Sequence, residues 1–67
     1  MTDLKKIIFE FVSNRSIQNE STTSRHVHRR FDISIDEAEN ILKEMLTNNM
    51  VEKFYDEEYQ ENRYIKK

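Results

Sequence analysis

The chain contains no cysteine, no glycine and no proline. Without cysteine there is neither a disulfide framework nor a thiolate metal site. Without glycine, phosphate-cradling loops and dinucleotide fingerprints are excluded, because both need a residue lacking Cβ where the backbone approaches phosphate. Every turn must then be built from Asn, Asp, Ser or Glu. No apolar run approaches the ~18 residues of a membrane span, and the first residues lack the apolar core of a secretory signal. A soluble, intracellular protein with no membrane partner is expected, in the cytoplasm or in a eukaryotic nucleus. A chain of 67 residues is expected to form one domain. At this size a fold buries only about 60% of its unfolded surface, which leaves no room for a deep enclosed active site.

What is present is charge, and it is unevenly placed. The net charge is −2. Residues 1–33 hold Lys5, Lys6, Arg15, Arg25, Arg29 and Arg30 against four carboxylates, a net +2. Residues 34–67 hold Lys43, Lys53, Arg63, Lys66 and Lys67 against nine carboxylates, a net −4. The front is basic and the back acidic.

Periodicity predicts three helices and a hairpin. Leu4, Ile7, Ile8 and Phe11 recur at helical spacing, with Asp3 or Thr2 as cap, so a helix is expected over about 3–13. Phe9 and Val12 lie off that stripe and either widen the buried face or mark a partner contact. Residues 14–21 are polar except for Ile17 and read as a loop, with a short strand near Ser21-Thr22 available to pair with the later hairpin. Thr23 caps a short helix over 24–31 that puts Val27 and Phe31 on one face. Phe31-Asp32-Ile33 forms a turn, and Ser34 with Glu37 has the spacing of a capping box for a helix over 34–48. Ala38, Ile41, Leu42, Met45 and Leu46 form its apolar face. Two alternating segments over 51–66, flanking the acidic tip from Asp56 to Glu61, predict a hairpin with Val51 and Tyr64 or Ile65 inward and Lys53 and Arg63 towards water.

This order resembles the winged helix-turn-helix superfamily: an α+β domain of three helices followed by a C-terminal β-hairpin wing. The family pattern T-x-x-x-[IV]-A-x-x-[LF]-G-[IV]-S is matched by Thr23, Val27, Phe31, Ile33 and Ser34, and L-x-x-x-G-[LM]-[IV] by Leu46, Met50 and Val51. His28 stands where the family prefers Ala and is expected at the helix–helix contact. Asp32 stands where Gly is usual and must tolerate a left-handed backbone. The narrower Z-DNA-binding group does not fit. Its recognition-helix Asn and Tyr are replaced by Glu39 and Lys43, and its Pro-Pro and Trp wing residues are missing.

The resemblance implies DNA binding. The second helix would cross the backbone, where Arg25, His26, Arg29 and Arg30 would meet phosphates. The same cluster also reads as a solvated basic face paired with carboxylates. The third helix would read bases, with Asn40 and Lys43 the residue types suited to it. Arg15 and Arg63 complete the basic set, although a loop arginine such as Arg15 is solvated by default. Against this stand Asp36, Glu37 and Glu39 on the third helix and Asp56, Glu57, Glu58 and Glu61 at the wing. Asp36 and Glu37 also complement the helix dipole. Tyr55, Tyr59 and Tyr64 could stack on or anchor a partner, or serve as half-buried strand residues.

Two functions are therefore expected. One is a small DNA-binding transcriptional regulator on duplex DNA, working as a homodimer. The other is a protein-interaction winged helix whose acidic surface meets a basic partner or mimics DNA. A stand-alone domain of this kind suits an accessory protein of a virus or mobile element. No catalytic set is present, since His26 and His28 lack an orienting acid and a nucleophile. Two residues apart on a helix, they also cannot chelate one metal together. No enzyme activity, cofactor or metal is expected.

Overall fold

Asp3 starts the first helix, its carboxylate accepting the Lys5 N–H at 3.0 Å. A computed structural model describes residues 3–67, so Thr2, the other candidate cap, lies outside the described residues. Helices α1 (Leu4–Ile17), α2 (Ser24–Phe31) and α3 (Ile35–Thr47) precede strands β1 (Val51–Asp56) and β2 (Glu61–Lys66). The two strands pair antiparallel, from Val51 opposite Lys66 to Asp56 opposite Glu61. The class is α+β, with the hairpin after the helices.

Helix α1 runs a full turn past Ser13, because the stop is Asn19 and not Asn14. Asn19 takes a left-handed backbone with φ of 61°, while the Asn19 and Glu20 N–H groups bond back to the Ser16 and Arg15 carbonyls. That pairing is a Schellman closure. The chain repeats it after α3, where Asn49 has φ of 64° and the Asn49 and Met50 N–H groups reach the Leu46 and Met45 carbonyls. Tertiary contacts hold the added turn of α1: the Ser16 hydroxyl accepts the Lys66 N–H at 2.8 Å. Asp32, at φ of 54° and ψ of 45°, makes the left-handed turn between α2 and α3. His28 staples that turn, its Nδ1–H donating to the Ile33 carbonyl.

The core is one cluster in which Ile8 and Val12 of α1 meet Val27 of α2, the Ala38, Ile41, Leu42 and Met45 face of α3, and Val51 and Tyr64 of the hairpin. Val12, off the predicted stripe, is fully buried, whereas Ile7, Phe11 and Leu46 are only half-buried. Phe11 and Phe31 close the α1–α2 side edge to face, with ring centroids 5.5 Å apart. The expected strand near Ser21-Thr22 is a single bridge: the Thr22 and Tyr64 N–H and C=O groups exchange hydrogen bonds at 2.8 Å. That bridge ties the loop before α2 to the hairpin.

Candidate nucleic-acid interface

The five arginines divide into two kinds. Arg15 and Arg63 are bound within the protein. Arg15 leaves the last turn of α1 and donates from Nε to the Thr22 hydroxyl at 3.2 Å and from Nη2 to the Ser21 carbonyl at 2.8 Å. Glu20 stands 3.4 Å from its Nη1. Far from being a solvated loop side chain, it seals the joint between α1 and the loop ahead of α2. Arg63 faces the hairpin and not water. Its Nε donates to Asp56 at 2.8 Å, Nη2 to Glu61 at 3.1 Å and Nη1 to the Ser21 hydroxyl at 2.8 Å. Its guanidinium also lies over the Tyr59 ring, 5.6 Å from the centroid.

Arg25, Arg29 and Arg30 are the other kind. All three are exposed on α2, and among the described residues none forms an ion pair. Arg25 and Arg29 are one turn apart on a shared face. Arg30 packs its guanidinium over Phe31, 5.5 Å from the ring centroid. The turn at Asp32 sets α3 against α2, and its solvent side shows Asp36, Glu37, Glu39, Asn40 and Lys43, all exposed. Ser34 accepts the Glu37 N–H at 3.0 Å, but the return bond from Glu37 to the Ser34 N–H, expected of a capping box, is not formed.

The reciprocal box occurs at α2 instead. The Thr23 hydroxyl accepts the His26 N–H at 3.3 Å, and the Thr23 N–H donates to His26 Nδ1 at 3.0 Å. Histidine fills the position that Glu or Gln takes in the usual form of this motif. Its ring is therefore turned inward, half-buried, and does not project with Arg30. With Nδ1 accepting, the ring proton sits on Nε2, which lies 3.5 Å from Arg15 Nη2. Burial, and then the guanidinium charge of Arg15, push the His26 pKa below the usual 6.5.

Between the start of α2, the first turns of α3 and the hairpin lies an open groove of about 420 Å³. Arg25 and Lys43 stand on it with Glu39 and Glu61, so its charges balance. Its apolar lining is Ile35, Tyr55, Tyr59 and Tyr64. Tyr64 is buried beneath it, and burial, reinforced by the Glu39 charge, raises its pKa above 10.0. Tyr55 and Tyr59 are 57% and 64% exposed, unusually open for large aromatic side chains. Ile35 stands on the exposed side of α3, where its place in the first turn of the helix puts it, and belongs to this surface.

The acidic tip is ordered from within. Asp56 accepts the Glu58 and Tyr59 N–H groups at 3.0 and 3.3 Å and pairs with Arg63, and Gln60 closes the turn with φ of 53°. Asp56 and Glu61 are thus partly neutralised by Arg63, while Glu57 and Glu58 stay exposed with no ion pair among the described residues. Among these residues no three His or acidic side chains converge as a metal site requires, and no helix is long and apolar enough to cross a membrane. No protein-family model, curated protein or solved structure matches the chain.

Proposed function

We propose that the chain is a winged helix-turn-helix domain that binds duplex DNA through α2 and the exposed side of α3, as a small transcriptional regulator. The observation that carries this reading is the sorting of the arginines. Two are consumed by internal ion pairs, whereas Arg25, Arg29 and Arg30 are left exposed together on one short helix. Exposed guanidinium groups on a rigid helix suit phosphate, which they bind by paired charge-assisted hydrogen bonds. Lys43 and Asn40 on the adjoining helix supply residue types that read base edges. One copy offers few phosphate contacts, and a homodimer on a two-fold site would double them.

The test is fluorescence anisotropy with a random-sequence duplex at about 50 and about 200 mM salt, because non-specific binding rests on counterion release and must weaken steeply between the two. Micromolar binding with that slope is expected. No binding at the lower salt would overturn the reading.

A second reading draws on the groove. Exposed tyrosines beside Ile35, with Glu57 and Glu58 at the nearby tip free of ion pairs among the described residues, have the composition of a protein-binding surface for a basic partner. It would prevail if the duplex fails to bind.

A further inference from the structure

We propose that His26 is an acid-sensitive latch on α2: a proton added at Nδ1 removes the acceptor for the Thr23 N–H and releases the first turn of the helix that carries Arg25, Arg29 and Arg30. A protonated Nδ1 can still donate to the Thr23 hydroxyl oxygen, but it can no longer accept the Thr23 N–H. Nδ1 is the ring's only free lone pair, and it lies 3.0 Å from the Thr23 nitrogen and 2.9 Å from its hydroxyl oxygen. Once protonated, the ring has two donors and no acceptor. The Thr23 N–H, on a residue 3% exposed, then loses its partner. A Glu or Gln at this position would keep its acceptor across the same pH range.

The surroundings amplify the effect. Arg15 from α1 is 3.5 Å from Nε2, and the charges of Arg63 from β2 and Arg29 from α2 also oppose an imidazolium. Glu61 from β2 is the one neighbouring charge that favours it, and Glu61 is already held by Arg63. The lowered pKa agrees with this arrangement and puts the switch below pH 6.5. Arg15 also binds Ser21 and Thr22, so repulsion at His26 acts on the joint that locates the start of α2. His28, the other histidine, does not share this behaviour. Its Nδ1–H donates to the Ile33 carbonyl, so no backbone N–H depends on that nitrogen as an acceptor.

The consequence for nucleic acid rests on the function proposed above, and it opposes simple electrostatics. Acidification neutralises carboxylates and adds positive charge, which alone would strengthen phosphate binding. The latch instead withdraws the ordered arginine face.

The test compares the wild type with His26→Gln, which retains a side-chain acceptor for the Thr23 N–H. Amide-exchange protection of α2, corrected for intrinsic rates, is measured at about pH 7.5 and about pH 5. The wild-type-to-variant protection ratio should fall about fivefold on acidification, the factor that one lost hydrogen bond corresponds to. Affinity for the random duplex should show the same fall in ratio. A protection ratio that does not change with pH would overturn the latch. If neither protein binds duplex at the higher pH, the nucleic-acid reading fails while the protection ratio still decides the latch. Should His26→Gln not fold, wild-type NMR decides instead: the His26 ring and the Thr23 amide should titrate with one midpoint, and separate midpoints would overturn the proposal.

Discussion

Arg63 Nη1 donates to the Ser21 hydroxyl at 2.8 Å while Nε of the same guanidinium holds Asp56 at 2.8 Å, so one side chain fastens the hairpin tip to the loop ahead of α2. Its side chain is only 20% exposed, and that of Asp56 is 21%. Partial burial lifts this pair above the usual surface ion pair. Arg63→Ala should cost about 1–3 kcal/mol in urea unfolding, because it strands two carboxylates and a hydroxyl. A cost indistinguishable from zero would show that these bonds only replace hydration.

Gln60 closes the hairpin with φ of 53°, a region that disfavours any residue bearing Cβ. Gln60→Gly should raise stability by up to about 1 kcal/mol, since relief of backbone strain outweighs the added freedom of the unfolded chain. The midpoint of chemical unfolding checks it.

Ser13 Oγ is buried in α1 with no hydrogen-bond partner among the described residues. Ser13→Ala removes that hydroxyl and improves helix propensity, so it should stabilise by about 1 kcal/mol. A loss of stability would mean that the hydroxyl has a partner such as ordered water.

Charge reversal separates the two functional readings. Arg25→Glu with Arg29→Glu should weaken duplex binding at least about tenfold and flatten its salt dependence, as expected for lost phosphate contacts. Glu57→Lys with Glu58→Lys should leave duplex binding intact or strengthen it. The reverse pattern in the anisotropy assay would assign function to the hairpin.

Thermal stability should peak between two titrations. The folded-state pKa of His26 is depressed, so the unfolded chain binds its proton first and stability falls as pH drops below 6.5. The folded-state pKa of Tyr64 is raised, so the unfolded chain loses its proton first and stability falls as pH rises past 10.0. Melting curves across this range check both limbs, and His26→Gln should shallow the acid one.

Periodicity and capping chemistry determined much of this protein before any tertiary contact. The Ala38–Ile41–Leu42–Met45 stripe is the buried face of α3, Thr23 caps α2, and Asp32 adopts the left-handed turn. These are local properties: side-chain spacing, a hydroxyl within reach of an N–H, and a short polar side chain that tolerates positive φ. Only the fold decided where the polar side chains went. Arg15 and Arg29 are alike in sequence, each an arginine among polar neighbours, yet one is held by Ser21, Thr22 and Glu20 and the other is exposed. The last turn of α1 lacked an apolar repeat and read as loop, because what stabilises it is a backbone N–H from Lys66, far along the chain. His26, which shared its spacing with Arg30, is the local exception: its ring turns back to accept the Thr23 N–H three residues earlier, at a capping-box position usually held by Glu or Gln. Hydrophobic spacing records which face of an element is buried. The partner of a charged or hydrogen-bonding group depends on distances between elements, and those exist only after the chain has folded.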